Sequence, residues 1–581
     1  DNLAEFQPKL HATEDIEGNE IDQTTPTVVV AEPTQETRRY PLRERRPVEK
    51  LTLAARKHQS VESTLKRHEA ETIKAVHDEL SQMVSKDVFT PIDPEVKVDD
   101  WIYSFMFMKE KYDSTGKFDK IKARLVAGGN NQFNSVMSTS SPTVSLQGIF
   151  MTSAIAAKEK REIASCDVPG AYLNATMIGD VHMKLDRFNS AVLCRIKPEY
   201  AKYLRTDGTM IVKLNKALYG CVESAKLWYD TFANAIRSYG FIPNELEPCI
   251  FNKNVDDKQV TICLYVDDLM ITSETKELLN DTIKFLERQF KGLTATVGKV
   301  HSYLGMTFNF ETPGEVKITT ERYINEIMTE NNVHGSSTVP ASNDLFDIVE
   351  SPELDEKRKA TFHSVVAKLL YLAKRTRPDI LTAISFLTTR VTKSNEKDWS
   401  KLQKVLRYLN GTRELGIILS PSKGEMKLQA YVDASYGTHH DGKSHSGLYI
   451  ALGKGPVFVR SSKQKIVSKS STEAELVALS DACSQVIWSR DFLINQGYDV
   501  SSVTVFEDNK STLALVHNGK STSERTKHIN IRYHFIKDKI ENGEIDLQYM
   551  STDQMIADVL TKPLPGKKFI DLRNKLLNWH Y

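Results

Sequence analysis

The sequence predicts an α+β multidomain protein in which two strand-rich blocks flank a helical stretch. Its 581 residues exceed what one hydrophobic core serves. Helical and alternating apolar spacings interleave from about residue 60 to Pro340, and a fresh run of strand patterns opens at Met426. Between them, Leu369 and Leu372, then Leu402, Val405, Leu406 and Leu409, recur at helical spacing.

Taken in order, residues 1–34 are acidic, polar and without apolar periodicity, which reads as disorder. A basic, proline-punctuated segment follows at 38–47, readable as a solvated linker or as an arm touching nucleic-acid phosphates. Ile73, Val76, Leu80 and Met83 give Glu69–Ser85 a helical stripe. Residues 101–109 and 120–127 read as strands joined by a turn at 113–116.

A hydrophobic fraction of 40% and a charged fraction of 26% are ordinary for a soluble protein. There is no run of about 18 apolar residues to cross a bilayer, and the acidic start does not resemble a signal peptide. The expected location is cytoplasmic or particle-enclosed, with no membrane partner. Six cysteines without a C-x-x-C pair argue against a zinc module or a disulfide framework and read as reduced core residues. The net charge of +1 neither demands nor forbids nucleic acid.

The strongest local signal is the run 260–272, in which two β-rich apolar segments flank Asp267 and Asp268. This predicts a hairpin with both carboxylates at its tip. Adjacent like charges repel, and a divalent cation supplies the missing counter-charge. Alone, such a pair is more often a solvated turn. A second strand-end acid, Asp167, precedes Val168, Pro169, the small pair Gly170 and Ala171, and Tyr172. Aspartates side by side in a sheet can hold two Mg²⁺ ions roughly 4 Å apart, the geometry that activates a 3′-hydroxyl and steadies a leaving pyrophosphate.

At these residues the chain resembles the reverse transcriptases of copia-type long-terminal-repeat retrotransposon Pol polyproteins. The resemblance rests on Tyr265-Val266-Asp267-Asp268, on residues 167–174 and 122–126, and on Leu218-Tyr219-Gly220, Trp228-Tyr229 and Tyr303-Leu304-Gly305-Met306. It implies Asp167 and Asp267 as principal metal ligands with the Val168 carbonyl assisting, and Asp268 as a supporting carboxylate. It implies Tyr172 as a steric gate against a ribose 2′-hydroxyl, in a nucleotide pocket with Gly170 and Ala171. Lys122 and Arg124, two apart on a strand and so on one face, would grip the incoming deoxynucleoside triphosphate. Residues 303–305 resemble the turn that braces the primer end. The chain departs from the family pattern at 221–226, at Ala175 and at Gly128, none of which removes a metal ligand.

The second block repeats the theme. Asp433 ends an alternating strand, with the next strand at 446–452. Ser470 and Glu473 form a candidate capping box for a helix whose stripe is Leu476, Leu479, Cys483 and Val486, with Glu475 aimed away from it. Asp508 closes the strand 503–507, and Asp558 sits on a short helix. Each acid alone is more often a cap or a turn residue. As an ordered set, Asp433, Glu475, Asp508 and Asp558 resemble the acidic quartet of ribonuclease H-like nucleases, which arranges two metals about a scissile phosphate. Residues 471–476 and 526–529 carry the same copia-type resemblance. His528 or His534 reads equally as an aid to product release or as a structural residue.

The resemblance implies a right-hand polymerase followed by a helical connection and an α/β ribonuclease H-like domain. Its divisions are a linker at 1–58 downstream of integrase, fingers and palm at 59–275, a thumb at 276–345, a connection at 346–424 and a nuclease at 425–581. The implied activities are RNA- and DNA-directed DNA synthesis and cleavage of RNA in RNA–DNA hybrids. Two Mg²⁺ serve each site, with Mn²⁺ as a substitute. Implied partners are an RNA template, a DNA primer strand, the hybrid, a transfer RNA primer, integrase and a second copy of the chain, inside virus-like particles. Rival readings are an inactive nucleic-acid-binding transposon relic, which needs a broken ligand set, and a DNA-templated repair polymerase, which has no use for a hybrid nuclease.

Overall fold

The computed structural model describes residues 61–112, 118–132, 139–422, 424–518 and 527–580. The linker 1–58, the 113–116 turn and Thr526 lie outside the described residues, as does the side chain of His528. The described residues all fall in a unit that spans residues 53–581.

The first sheet has the order Phe89–Pro91, Met210–Leu214, His182–Leu185, Ile102–Tyr112, Phe118–Ala127. Alternation along its last strand buries Ile121, Ala123, Leu125 and Ala127 and turns Lys122 and Arg124 to the other face. Helix Glu69–Ser85 packs its Val76, Leu80 and Met83 beneath this sheet, whereas Ile73, expected on the same stripe, is 43% exposed. The buried stripe starts at Thr72, four residues before Val76, and Ile73 lies one position around the helix from it.

The second sheet runs Thr294–Val297, Glu162–Asp167, Asp268–Ser273, Lys258–Tyr265, Ile250–Val255, Ile242–Pro243. Its core residues, among them Ile163, Ile262, Leu269 and Ile271, share one apolar cluster with helices Leu146–Lys158, Ser224–Ser238 and Lys276–Gln289. This sheet continues past residue 275, because Thr294 and Ala295 pair with Asp167 and Cys166 at its edge.

A third, four-stranded sheet joins Val300–Tyr303, Met306–Asn309 and Val316–Thr319 to Ile417–Leu419, so chain from either side of the helical stretch is paired. That stretch holds helices Glu356–Ala373, Leu381–Thr388 and Glu396–Asn410 around Leu369, Leu372, Leu402 and Leu406. Inside it, Arg377 is fully buried and forks onto Asp379 at 3.0 and 2.8 Å, while Tyr408 Oη donates to Asp379 at 2.6 Å.

The fourth sheet orders Pro456–Lys463, His445–Leu452, Leu428–Ser435, Val503–Glu507, Ile545–Tyr549. The first three strands are antiparallel and the last two parallel to the Asp433 strand. Helix Ser471–Asn495 crosses it and also meets the second sheet's helix, where Gln147 Nε2 donates to Ser489 Oγ at 2.6 Å. The expected capping box is half formed. Ser470 Oγ accepts from the Glu473 N–H at 3.2 Å, but Glu473 reaches past its cap residue to the Lys469 N–H at 2.7 Å. All six cysteines are free, five of them buried and Cys194 partly so.

Candidate metal centres

The first centre forms where three backbone segments meet at one end of the second sheet. Strand Lys258–Tyr265 turns into Asp268–Ser273 through only two residues, Val266 and Asp267, since Tyr265 and Asp268 are register partners. Such tight turns require a positive φ, and Val266 supplies it at 55°, a region that β-branched side chains avoid. Trp228 holds the turn there: its indole Nε1 donates to the Val266 carbonyl at 2.6 Å. The Val168 N–H closes on the Asp267 carbonyl at 2.9 Å, tying the two acidic segments together.

The register decides which acids face one another. Asp268, not Asp267, is the partner of Asp167 across the ladder, so Asp167 and Asp268 share a face and Asp267 occupies the turn beside them. The expectation of both acids at the hairpin tip is corrected by one residue. Asp167 is exposed, and Asp267 and Asp268 are half-buried. Burial, then the charges of Asp267 and Asp167, push the Asp268 carboxyl up to about 6. Crowded carboxylates of this kind are a donor set for a hard divalent cation, so the residues present fit Mg²⁺. Their oxygens are not gathered within 4.8 Å of one another as they stand.

Beside this centre lies a stack of rings. Gly170, at φ 61°, starts the short turn Ala171–Asn174 that carries Tyr172. The Tyr172 ring is 4.5 Å from that of Tyr219, and the Arg124 guanidinium sits 3.9 Å over Tyr219. Burial, and then the charge of Asp267, raise the Tyr172 hydroxyl above its ordinary value. Tyr219 is held by its carbonyl accepting the Ala127 N–H at 2.7 Å. A Cβ on Gly220 would come within 2.0 Å of the Ala127 carbonyl oxygen, so only glycine fits there. Lys122 is exposed on the same strand face as Arg124. At 303–306 a second two-residue turn has both Leu304 and Gly305 at positive φ, and Tyr371 Oη donates to the Leu304 carbonyl at 3.0 Å.

The second centre lies on the fourth sheet. Asp433 stands inside its strand, two residues short of the end, and Asp508 follows the neighbouring parallel strand. Glu475 is in the first turns of helix Ser471–Asn495, and Asp558 is in the turn Ile556–Leu560. Asp433, Asp508 and Asp558 each offer an oxygen within 4.8 Å of the others, as do Glu475, Glu507 and Asp508. All four expected acids therefore converge. Thr561 Oγ1 donates to Asp433, and Thr552 Oγ1 donates to Asp508 at 2.7 Å. Lys562 and Lys568 pair with Asp558 at 2.7 and 3.1 Å.

Burial dominates the electrostatics here. It pushes Asp433 up to about 6, against the opposing charge of Lys562, and holds Glu475 and Glu507 well above the usual carboxylate range. Among the described residues Glu475 Oε2 and Glu507 Oε2 have no hydrogen-bond partner. Buried carboxylates with unpartnered oxygens, each offering an oxygen within 4.8 Å of the others, again fit a divalent cation.

The sequence reading passes over Glu507, Lys562 and Lys568. Glu507-Asp508 is an adjacent acid pair at a strand end, the same signal as Asp267-Asp268, and Lys562 lies four residues after Asp558. His534, readable as an aid to product release, is exposed on helix Lys527–Glu541 with its ring 5.0 Å from that of Tyr533.

Residues 88–342 match the family described as reverse transcriptase (RNA-dependent DNA polymerase). A Pol polyprotein from transposon RE1 of Arabidopsis thaliana is 30% identical over 484 residues, covering 82% of this chain and 31% of that protein. One from transposon TNT 1-94 of Nicotiana tabacum is 27% identical over 568 residues, covering 94% of this chain and 40% of that protein. The chain thus spans well under half the length of these relatives. Among solved structures, a foamy viral protease–reverse transcriptase in complex with double-stranded DNA aligns over 82% of this chain and 69% of that chain, at 13% identity and a TM-score of 0.49. The chain thus carries a reverse transcriptase domain, and most of its length is homologous to part of the Pol polyproteins of copia-type plant retrotransposons.

Proposed function

We propose that the chain is an RNA-directed and DNA-directed DNA polymerase with ribonuclease H activity, which converts retrotransposon RNA into double-stranded DNA. The observation that supports this reading is that Asp167 and Asp268 are register partners beside Asp267, while Asp433, Glu475, Asp508 and Asp558 converge in a second place. An inactive relic would need a lost ligand, and none is missing.

In this reading the first sheet and the sheet bearing Asp167 are fingers and palm, the latter reaching Val297 and so past the expected boundary at 275, and the thumb is the remainder of 276–345. The helical stretch is the connection, and the fourth sheet is the nuclease domain. Asp167, Asp267 and Asp268, with the Val168 carbonyl, would hold two Mg²⁺ (or Mn²⁺), which supply activation of the primer 3′-hydroxyl and charge neutralisation of the leaving pyrophosphate. Lys122 and Arg124 attract the triphosphate. Gly170 and Ala171 let it approach the backbone, and the Tyr172 ring, braced by Tyr219, excludes a 2′-hydroxyl. Asp433, Glu475, Asp508 and Asp558 would hold the cations that support attack of water on an RNA phosphate. Template, primer and hybrid are held by backbone charge. A transfer RNA primer, contacts with integrase or a second copy, and residence in cytoplasmic virus-like particles belong to the same reading.

Extension of a DNA primer on RNA, and cleavage of labelled RNA in a hybrid, test the two halves separately. Asp267→Asn with Asp268→Asn abolishes extension and spares cleavage; Glu475→Gln does the reverse. Extension that survives the double substitution, or wild-type protein inert in both assays with Mg²⁺ and Mn²⁺, ends this reading.

A further inference from the structure

The second centre holds five acids, and its lysines serve them unequally. Asp558 is neutralised by Lys562 at 2.7 Å and Lys568 at 3.1 Å, and Lys562 stands 4.0 Å from Asp433. Glu475, Glu507 and Asp508 have no ion pair of this kind among the described residues. Asp508 is served by the Thr552 hydroxyl, and Glu507 Oε1 by the Asn509 N–H at 3.0 Å. That leaves Glu475 Oε2 and Glu507 Oε2, of residues 5% and 0% exposed, each without a donor among the described residues.

Glu507 owes this position to strand geometry. Along Val503–Glu507 the buried residues are Val503, Val505 and Glu507, so alternation carries a carboxylate onto the face that otherwise makes the core. A fully buried, half-satisfied glutamate is costly unless a cation completes it. One oxygen from each of Glu475, Glu507 and Asp508 lies within 4.8 Å of the others. Two oxygens bound to a single cation at about 2.1 to 2.4 Å stand at most about 4.2 to 4.8 Å apart, so the spacing suits one ion.

We propose that Glu507 is a direct ligand in a divalent-cation subsite formed with Glu475 and Asp508, and that this subsite fills before the lysine-neutralised Asp433/Asp558 side. The inference rests on the nuclease reading and adds to it a fifth acid and an order of filling.

The test is calorimetric titration of the full chain with MnCl₂, in an Asp267→Asn/Asp268→Asn background that silences the other centre. Glu507→Gln weakens the first cation by on the order of tenfold or more, while leaving the melting temperature of the cation-free protein unchanged or raised. Glu507→Asp keeps the charge but draws it back by one methylene. It weakens binding as well, and serves if the glutamine variant does not fold. Were Glu507 merely a backbone brace for Asn509, Glu507→Gln would lower the cation-free melting temperature and leave affinity intact. That result, with Glu475→Gln still weakening Mn²⁺, overturns the role of Glu507 and spares the nuclease reading. If Asp433→Asn weakens the first cation more than Glu507→Gln does, the order of filling is wrong. No cation uptake in the background protein removes the inference and the nuclease metal site together.

Discussion

Asp167 and Asp268 are register partners across antiparallel strands, and Asp267 sits in the two-residue turn between Tyr265 and Asp268. The acid next to the turn therefore shares a face with the distant strand's acid, and the acid in the turn is set by backbone conformation. Val266 carries the strained φ of 55° that makes this possible, and Trp228 anchors its carbonyl.

Trp228→Phe keeps a ring in the core and removes the donor to Val266. On the proposed function, misplacing the turn by a fraction of an ångström slows DNA synthesis by roughly tenfold to a hundredfold, with hybrid cleavage unchanged. Single-turnover extension beside a cleavage assay checks this. Equal loss of both activities would mean general destabilisation instead.

Tyr172→Ala removes the ring that packs on Tyr219 at 4.5 Å. Loss of one steric contact is worth roughly 1 to 3 kcal/mol of discrimination, so if the proposed gate operates, preference for deoxynucleotides over ribonucleotides falls by about ten- to a hundredfold. The ratio of kcat/KM for the two substrates reports it. An unchanged ratio refutes the gate.

His439 and His445 form a buried pair, Nε2 to Nδ1 at 2.9 Å, with Phe346 against both rings and Ser461 on His445 at 2.7 Å. Burial, then Lys463, lowers His439 to about 4, with Asp441 opposing, and burial, then His439 and Lys463, lowers His445 to about 3. The unfolded chain takes up protons near 6.5 that the folded chain refuses. Their contribution to stability is thus complete above about 6.5 and is lost as pH falls toward those lower values. Melting temperature drops over that window in the wild type, and less steeply in His439→Gln/His445→Gln. Parallel pH profiles would exclude the pair as the cause.

Arg377→Met strands Asp379, which is buried with the Tyr408 hydroxyl as its other donor. Breaking a buried pair from one side costs about 3 to 5 kcal/mol. Replacing both, as Arg377→Met/Asp379→Leu, recovers part of that. Urea denaturation of the two variants measures the difference. A single variant as stable as the wild type contradicts this account.

The sequence by itself determined the elements and the acids. Alternation around 260–272, a short apolar strand before Asp167 and helical spacing around Glu475 are local patterns, and each acid lies on or beside the element they indicate. Only the tertiary structure decided which acids meet. The partnership of Asp167 with Asp268 depends on pairing strands about a hundred residues apart, and nothing in either strand states its partner. Glu507 entered the second centre because the parallel strand beside Asp433 turns that side chain inward, and Lys562 and Lys568 reached Asp558 through the fold of the last helix and turn. Local patterns fix which face a residue presents along its own element; which charge it then meets is a property of packing.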